Sequence, residues 1–144
     1  MEATALARAS NRTSHKTLMA AADPHAKVLL VEDNELNRDM LGRRLARHGF
    51  KVAFASDGYQ ALIAAELDPP ELVLMDLSLP GLDGWEAVRR LKANAQTRAI
   101  PVIVLTANAM TEDRDKAMAA GCNGFETKPI NFANLLGRID RLLP

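Results

Sequence analysis

Leu72-Val73-Leu74-Met75-Asp76-Leu77-Ser78-Leu79-Pro80-Gly81-Leu82-Asp83-Gly84 is the stretch on which the reading of the chain turns. Four consecutive apolar residues end at once in a carboxylate, a loop with proline and glycine follows, and Asp83-Gly84 opens a helical pattern over Trp85, Val88 and Leu91. An unbroken apolar run of this kind suits a strand covered on both faces, as strands are in parallel sheets with helical crossovers. Asp76 is the odd residue, because Leu74, Met75, Leu77 and Leu79 offer it no charge partner.

The same grammar repeats on either side. Upstream, Val28-Leu29-Leu30-Val31 ends in Glu32-Asp33, and Leu36, Met40, Leu41 and Leu45 then recur at helical spacing until Gly49 closes the helix. A weaker strand over 50–55 leads through Asp57-Gly58 into a helix carrying Ala61, Leu62 and Ala65, which Pro69-Pro70 ends. Downstream, Pro101 opens Val102-Ile103-Val104-Leu105, which stops at Thr106; a helix over 110–120 ends at Gly121. A short, poorly hydrophobic strand over 124–127 stops before Pro129, and a last helix over 131–143 presents Phe132, Leu135, Leu136, Ile139 and Leu142.

Strands alternating with helices over short loops imply an α/β fold. Right-handed crossovers leave few topologies for it. The expectation is a doubly wound (βα)5 three-layer sandwich, flavodoxin-like, with a parallel five-stranded sheet of order 2-1-3-4-5. Residues 27–144 make the domain. Residues 1–26, rich in Ala, Ser, Thr and Asn, read as a flexible N-terminal extension, with a transit peptide or a docked helix over 3–9 as other readings.

The chain has 144 residues, about one domain's worth, and its 48% apolar content builds a core without disulfides or a structural metal. Eighteen Lys and Arg balance 18 Asp and Glu, which argues against a strongly basic nucleic-acid binder. No stretch approaches the roughly 18 uninterrupted apolar residues of a membrane helix. The single cysteine, Cys122, has no partner for a disulfide, no Cys/His cluster offers a zinc site, and nothing nearby suggests a lowered thiol pKa, so a reducing, cytoplasmic setting fits.

In a doubly wound sheet ligands bind beyond the carboxyl ends of the strands, where strand order reverses. Strand one ends at Glu32-Asp33, strand three at Asp76, strand four at Thr106, and strand five leads to Lys128. Converging carboxylates repel unless a cation neutralises them, and an all-oxygen set suits Mg²⁺. Taken singly, Asp33 or Asn34 is equally well read as the cap of the next helix. GxxxxGK[ST], GxGxxG and GxSxG are all missing, which removes the P-loop, the dinucleotide fingerprint and the hydrolase nucleophile elbow.

Together VEDN at 31–34, MDLSLPGLDG at 75–84, LTANAM at 105–110 and KPI at 128–130 resemble the receiver domain of two-component response regulators. The resemblance covers residues 27–143. The VEDN-x-x-NR form ending at Arg38 is most similar to receivers of hybrid histidine kinases and stand-alone regulators. The resemblance implies Asp76 as phosphoacceptor, with Glu32, Asp33, Asp76 and the Ser78 backbone carbonyl around Mg²⁺. It implies Thr106 and Lys128 on the phosphoryl oxygens, and Thr106 with Phe125 as the switch, although Phe125 also reads as an ordinary core aromatic. Ser78 and Asn108 take the positions that tune dephosphorylation, where the residues present suggest a moderate aspartyl-phosphate lifetime. A cis peptide before Pro129 is also implied.

The partners it implies are a histidine kinase or histidine phosphotransfer protein, and a downstream protein reached through the 110–120 helix, the 124–127 strand and the 131–143 helix. No nucleic acid or membrane is expected. Such a chain is no enzyme beyond its own phosphorylation and dephosphorylation. A phosphorylation-independent adaptor is the alternative, against which the full set of five site residues argues; a small-molecule phosphatase lacks a water-activating acid after Asp76. The 26-residue extension favours a natural start at Met1, and a receiver excised from a hybrid kinase is the other reading. Glu126 departs from the family pattern and suggests an exposed, charged edge strand. Trp85 reads either as a docking aromatic or as a helix anchor. Gly84 is expected to supply backbone angles closed to other residues.

Overall fold

The computed structural model describes residues 26–107 and 111–143, with the backbone alone at 111–113. The first 25 residues and Asn108 therefore lie outside the described residues. The elements run β1 (Lys27–Val31), α1 (Glu35–Arg47), β2 (Lys51–Ala55), α2 (Gly58–Leu67), β3 (Leu72–Asp76), α3 (Gly84–Ala93), β4 (Val102–Thr106), α4 (Thr111–Ala120), β5 (Gly124–Thr127) and α5 (Phe132–Leu142). All pairings are parallel and the order is β2-β1-β3-β4-β5, as the sequence pattern predicts.

The unbroken apolar strands are explained by two cores. Successive strand residues point to opposite faces. Leu29, Val31, Val73, Met75, Val102 and Val104 pack under α2, α3 and α4 with Ala61, Ala65, Ala87, Val88, Leu91 and Ala117. Val28, Leu30, Leu72, Leu74, Ile103 and Leu105 pack on the other face with Leu45 of α1 and Phe132, Leu135 and Ile139 of α5. Helix starts are fixed by polar caps: Asn34, Asp57, Asp83 and Asn131 each accept the backbone N–H three residues on. Gly49 and Gly81 hold φ of 93° and 71°, in the left-handed region that glycine enters without strain.

Three expectations change, and a fourth reading, that of Trp85, is decided. Leu36 and Met40 of α1 do not join the core and are 67% and 58% exposed. At about 100° per residue, Leu36 and Leu45 stand on opposite sides of the helix, so the apolar positions form two arcs, of which the sheet covers only that of Leu41 and Leu45. Glu126 lies in the edge strand but is buried, its carboxylate taken by the Arg138 guanidinium at 2.5 Å. Gly124 makes this possible, since a Cβ there would meet Arg138 Cδ at 2.7 Å. Gly84 is required for space rather than for unusual angles: a Cβ would stand 2.8 Å from Leu77 Cα and 2.9 Å from the Asp76 carbonyl oxygen. Trp85 is half-buried against the α2–α4 core, as a helix anchor would be.

Candidate functional site

The strand ends meet at the carboxyl rim through main-chain bonds that run past the sheet. Glu32 N–H donates to the Ala55 carbonyl at 3.0 Å, Leu77 N–H to that of Leu105 at 3.1 Å, and Lys128 N–H to that of Thr106 at 2.7 Å. Register sets Asp76 opposite Leu105, so Thr106 lies one residue beyond it. Asp76, Glu32 and Thr106 are buried, with 1%, 5% and 5% exposure, whereas Asp33 is exposed.

Carboxylate oxygens of Glu32, Asp33 and Asp76 all lie within 4.8 Å of one another. Lys128 Nζ stands 3.1 Å from Asp76 Oδ2 and 3.6 Å from Glu32 Oε1. The charge partner that the neighbours of Asp76 lack thus arrives from 52 residues away. The other Asp76 oxygen, Oδ1, accepts the Ser78 backbone N–H at 3.0 Å. The Lys128–Pro129 peptide is cis, as the family pattern implies.

Capping falls to Asn34, whose side chain accepts Asn37 N–H at 2.9 Å, which settles the choice between Asp33 and Asn34. Asn34 N–H in turn donates to Glu32 Oε2 at 3.1 Å. Burial pushes the Glu32 carboxyl above its ordinary range, the Asp76 carboxylate adds to the rise, and the Asn34 N–H and Lys128 oppose it. Three carboxylates face one ammonium, leaving an excess of negative charge in a partly buried place. Hard oxygen donors at these separations suit one small divalent cation, about 2.0–2.6 Å from each.

Two polar contacts escape a reading of sequence alone. The Ser78 N–H on Asp76 comes from the backbone, which no side-chain pattern signals. Arg38, visible in the VEDN-x-x-NR pattern but without a role there, donates from Nη1 to the Glu32 carbonyl at 3.1 Å. Phe125 is half-buried, with the Arg114 guanidinium 5.6 Å from its ring centroid. Cys122 is buried and its thiol is pushed up by that burial, so it is no thiolate nucleophile at neutral pH.

The fold is shared with known proteins. The response regulator receiver domain profile matches residues 28–140, and the chain belongs to that family. Among curated relatives, protein PilH of Pseudomonas aeruginosa is 35% identical over 118 residues, covering 82% of this chain and 98% of PilH. HprR of Escherichia coli is 36% identical over 78% of this chain, and PleD of Caulobacter vibrioides 38% identical over 81%. The chain spans 49% and 26% of the lengths of those two proteins.

Among solved structures, the receiver domain of sensor histidine kinase PA1611 from Pseudomonas aeruginosa superposes with a TM-score of 0.77 at 38% identity, covering 82% of this chain and 97% of that one. That structure holds a magnesium ion in its active site cleft. CheY4 of Vibrio cholerae gives a TM-score of 0.78 at 31% identity, covering 83% and 99%. Among the described residues no helix is long and apolar enough to cross a membrane.

Proposed function

We propose that Asp76 accepts a phosphoryl group from a phosphohistidine and that the added charge alters partner binding. The observation that carries this reading is the clamp on Asp76: Ser78 N–H on one oxygen, Lys128 on the other, and two further carboxylates within 4.8 Å. An aspartate is ionised at neutral pH and needs no base to attack. One Asp76 oxygen attacks phosphorus in line with the imidazole nitrogen; the new O–P bond forms as the P–N bond breaks, and the imidazole leaves with the electron pair. Such transfer is mostly positioning and neutralisation of oxygen charge.

Glu32, Asp33, Asp76 and the Ser78 carbonyl would hold Mg²⁺, the ion bound in the related PA1611 receiver. When bound, the ion neutralises nucleophile and phosphoryl oxygens together. Lys128 pairs with a phosphoryl oxygen and the Thr106 hydroxyl donates to another. Thr106 and Phe125 relay the change to α4, β5 and α5, the face offered to a downstream protein. Ser78 and Asn108 set the hydrolysis rate, with a moderate lifetime. The setting of this chemistry is cytoplasmic, and the domain acts on no other substrate.

The test is an amide NMR titration with Mg²⁺ followed by beryllofluoride, a phosphoryl mimic. Shifts at residues 32, 33, 76 and 106 that spread to Phe125 and vanish in Asp76→Ala are expected. A spectrum unmoved by both additions would overturn the reading in favour of a phosphorylation-independent adaptor.

A further inference from the structure

We propose that Arg38 is a positioning residue for the cation site, holding the acidic loop so that Asp33 joins Glu32 and Asp76. The inference rests on the reading of the site given above. Glu32 is fixed through every polar group: its N–H by the Ala55 carbonyl at 3.0 Å, its carbonyl by Arg38 Nη1 at 3.1 Å, and its carboxylate by Asn34 N–H at 3.1 Å and Lys128 at 3.6 Å. Asp33 differs. It is exposed, and its place within 4.8 Å of the other two carboxylates follows from the course of the backbone on either side of it.

That backbone has two anchors. Asn34, after Asp33, is anchored as the cap of α1. The Glu32 carbonyl, before it, belongs to the peptide group that leads into Asp33 and is held by Arg38, which closes the first turn of the same helix. The guanidinium therefore ties the incoming peptide to the helix that the outgoing peptide begins. Because the bond goes to the main chain, it orients the loop without occupying a carboxylate oxygen. A charged donor on a carbonyl makes the stronger kind of hydrogen bond, and partners behind ligating residues commonly govern metal affinity.

Positioning and simple electrostatics predict opposite signs. A cation removed from the vicinity of a divalent site relieves repulsion and tightens Mg²⁺ binding on Coulombic grounds. If Arg38 positions the loop, its loss weakens binding. The experiment is a Mg²⁺ titration of the full chain by amide NMR, comparing wild type, Arg38→Met, Arg38→Lys and Arg43→Met, with thermal melts of each. Arg43 lies farther along α1 on a well-exposed side chain, near Asp39, and serves as the charge control.

Arg38→Met is expected to weaken Mg²⁺ binding about tenfold. Arg38→Lys, which keeps a donor but loses the planar fork, is expected to lose roughly twofold to threefold. Arg43→Met should match wild type. Phosphorylation of Arg38→Met by acetyl phosphate should need more Mg²⁺ yet reach the wild-type rate at saturation, a split that a loss of stability alone would not produce. Unchanged or tighter Mg²⁺ binding in Arg38→Met would overturn the inference while leaving the site reading intact. If that variant does not fold, Arg38→Lys decides by the same comparison, and wild-type affinity there overturns the inference. A wild type that binds no Mg²⁺ would remove both the site reading and the inference.

Discussion

The Lys128 ammonium stands 3.1 Å from Asp76 Oδ2 and spans the sheet's carboxyl rim from β5 to β3. It also reaches Glu32 at 3.6 Å, so one cation offsets two carboxylates that are both nearly excluded from water. Its own side chain is 26% exposed, which moderates the cost of burying the group. Lys128→Met is expected to destabilise the metal-free protein by about 2 kcal/mol at neutral pH, because two buried carboxylates lose their partner. Urea denaturation checks this, and the deficit should shrink as the pH is lowered.

Glu32 gives a second pH effect. Its carboxyl is raised above the usual range by burial, with Asp76 repulsion adding to it. The folded state therefore holds that proton more tightly than the unfolded state. Stability from this group is fully present below the unfolded pKa and is lost as the pH rises through the folded one. Glu32→Gln should accordingly stabilise the metal-free protein at neutral pH by about 1 kcal/mol while weakening Mg²⁺ binding. In wild type, Mg²⁺ should raise the melting temperature at neutral pH and progressively less as Glu32 becomes protonated.

The Arg138–Glu126 pair joins α5 to the edge strand at 2.5 Å, over the space that Gly124 leaves open. Arg138→Ala is expected to cost about 3 kcal/mol by leaving a buried carboxylate unpaired. Replacing both partners, as Glu126→Leu with Arg138→Met, should recover most of that loss. A double-mutant cycle measured by chemical denaturation separates the two cases.

Two glycines should respond with opposite signs. Gly84→Ala drives a methyl into backbone atoms of Asp76 and Leu77, at 2.9 and 2.8 Å, and is expected to cost about 2 kcal/mol and to disturb the loop after Asp76. Gly137 lies inside α5 with its nearest contact at 3.7 Å, the end of the Arg141 side chain. Gly137→Ala should therefore stabilise by about 0.5–1 kcal/mol through helix propensity. Thermal melts of both variants check the contrast.

Much of this architecture is legible because its signals are local. Apolar runs buried on both faces, carboxylates at their ends and capping residues at fixed offsets are all visible along the chain, and they suffice for the sheet order and for the convergence of Glu32, Asp33 and Asp76. What stays hidden depends on distant or main-chain partners. Glu126 looks like a solvated edge charge until Arg138 folds over it. Helical spacing alone does not show that Leu36 and Met40 face away from the sheet. Gly84 is placed correctly but for a different reason, since only the packed loop reveals how close Leu77 and Asp76 come.

The central claim is that Asp76 is the residue that takes the phosphoryl group. The direct measurement is intact-protein and peptide mass spectrometry after incubation with Mg²⁺ and acetyl phosphate, in wild type and Asp76→Asn. One added phosphoryl group per chain, hydrolysed by mild base and located on the peptide containing Asp76, is the predicted result, with none in the variant. Equal labelling of the variant, or an unlabelled wild type that binds Mg²⁺, would contradict the account.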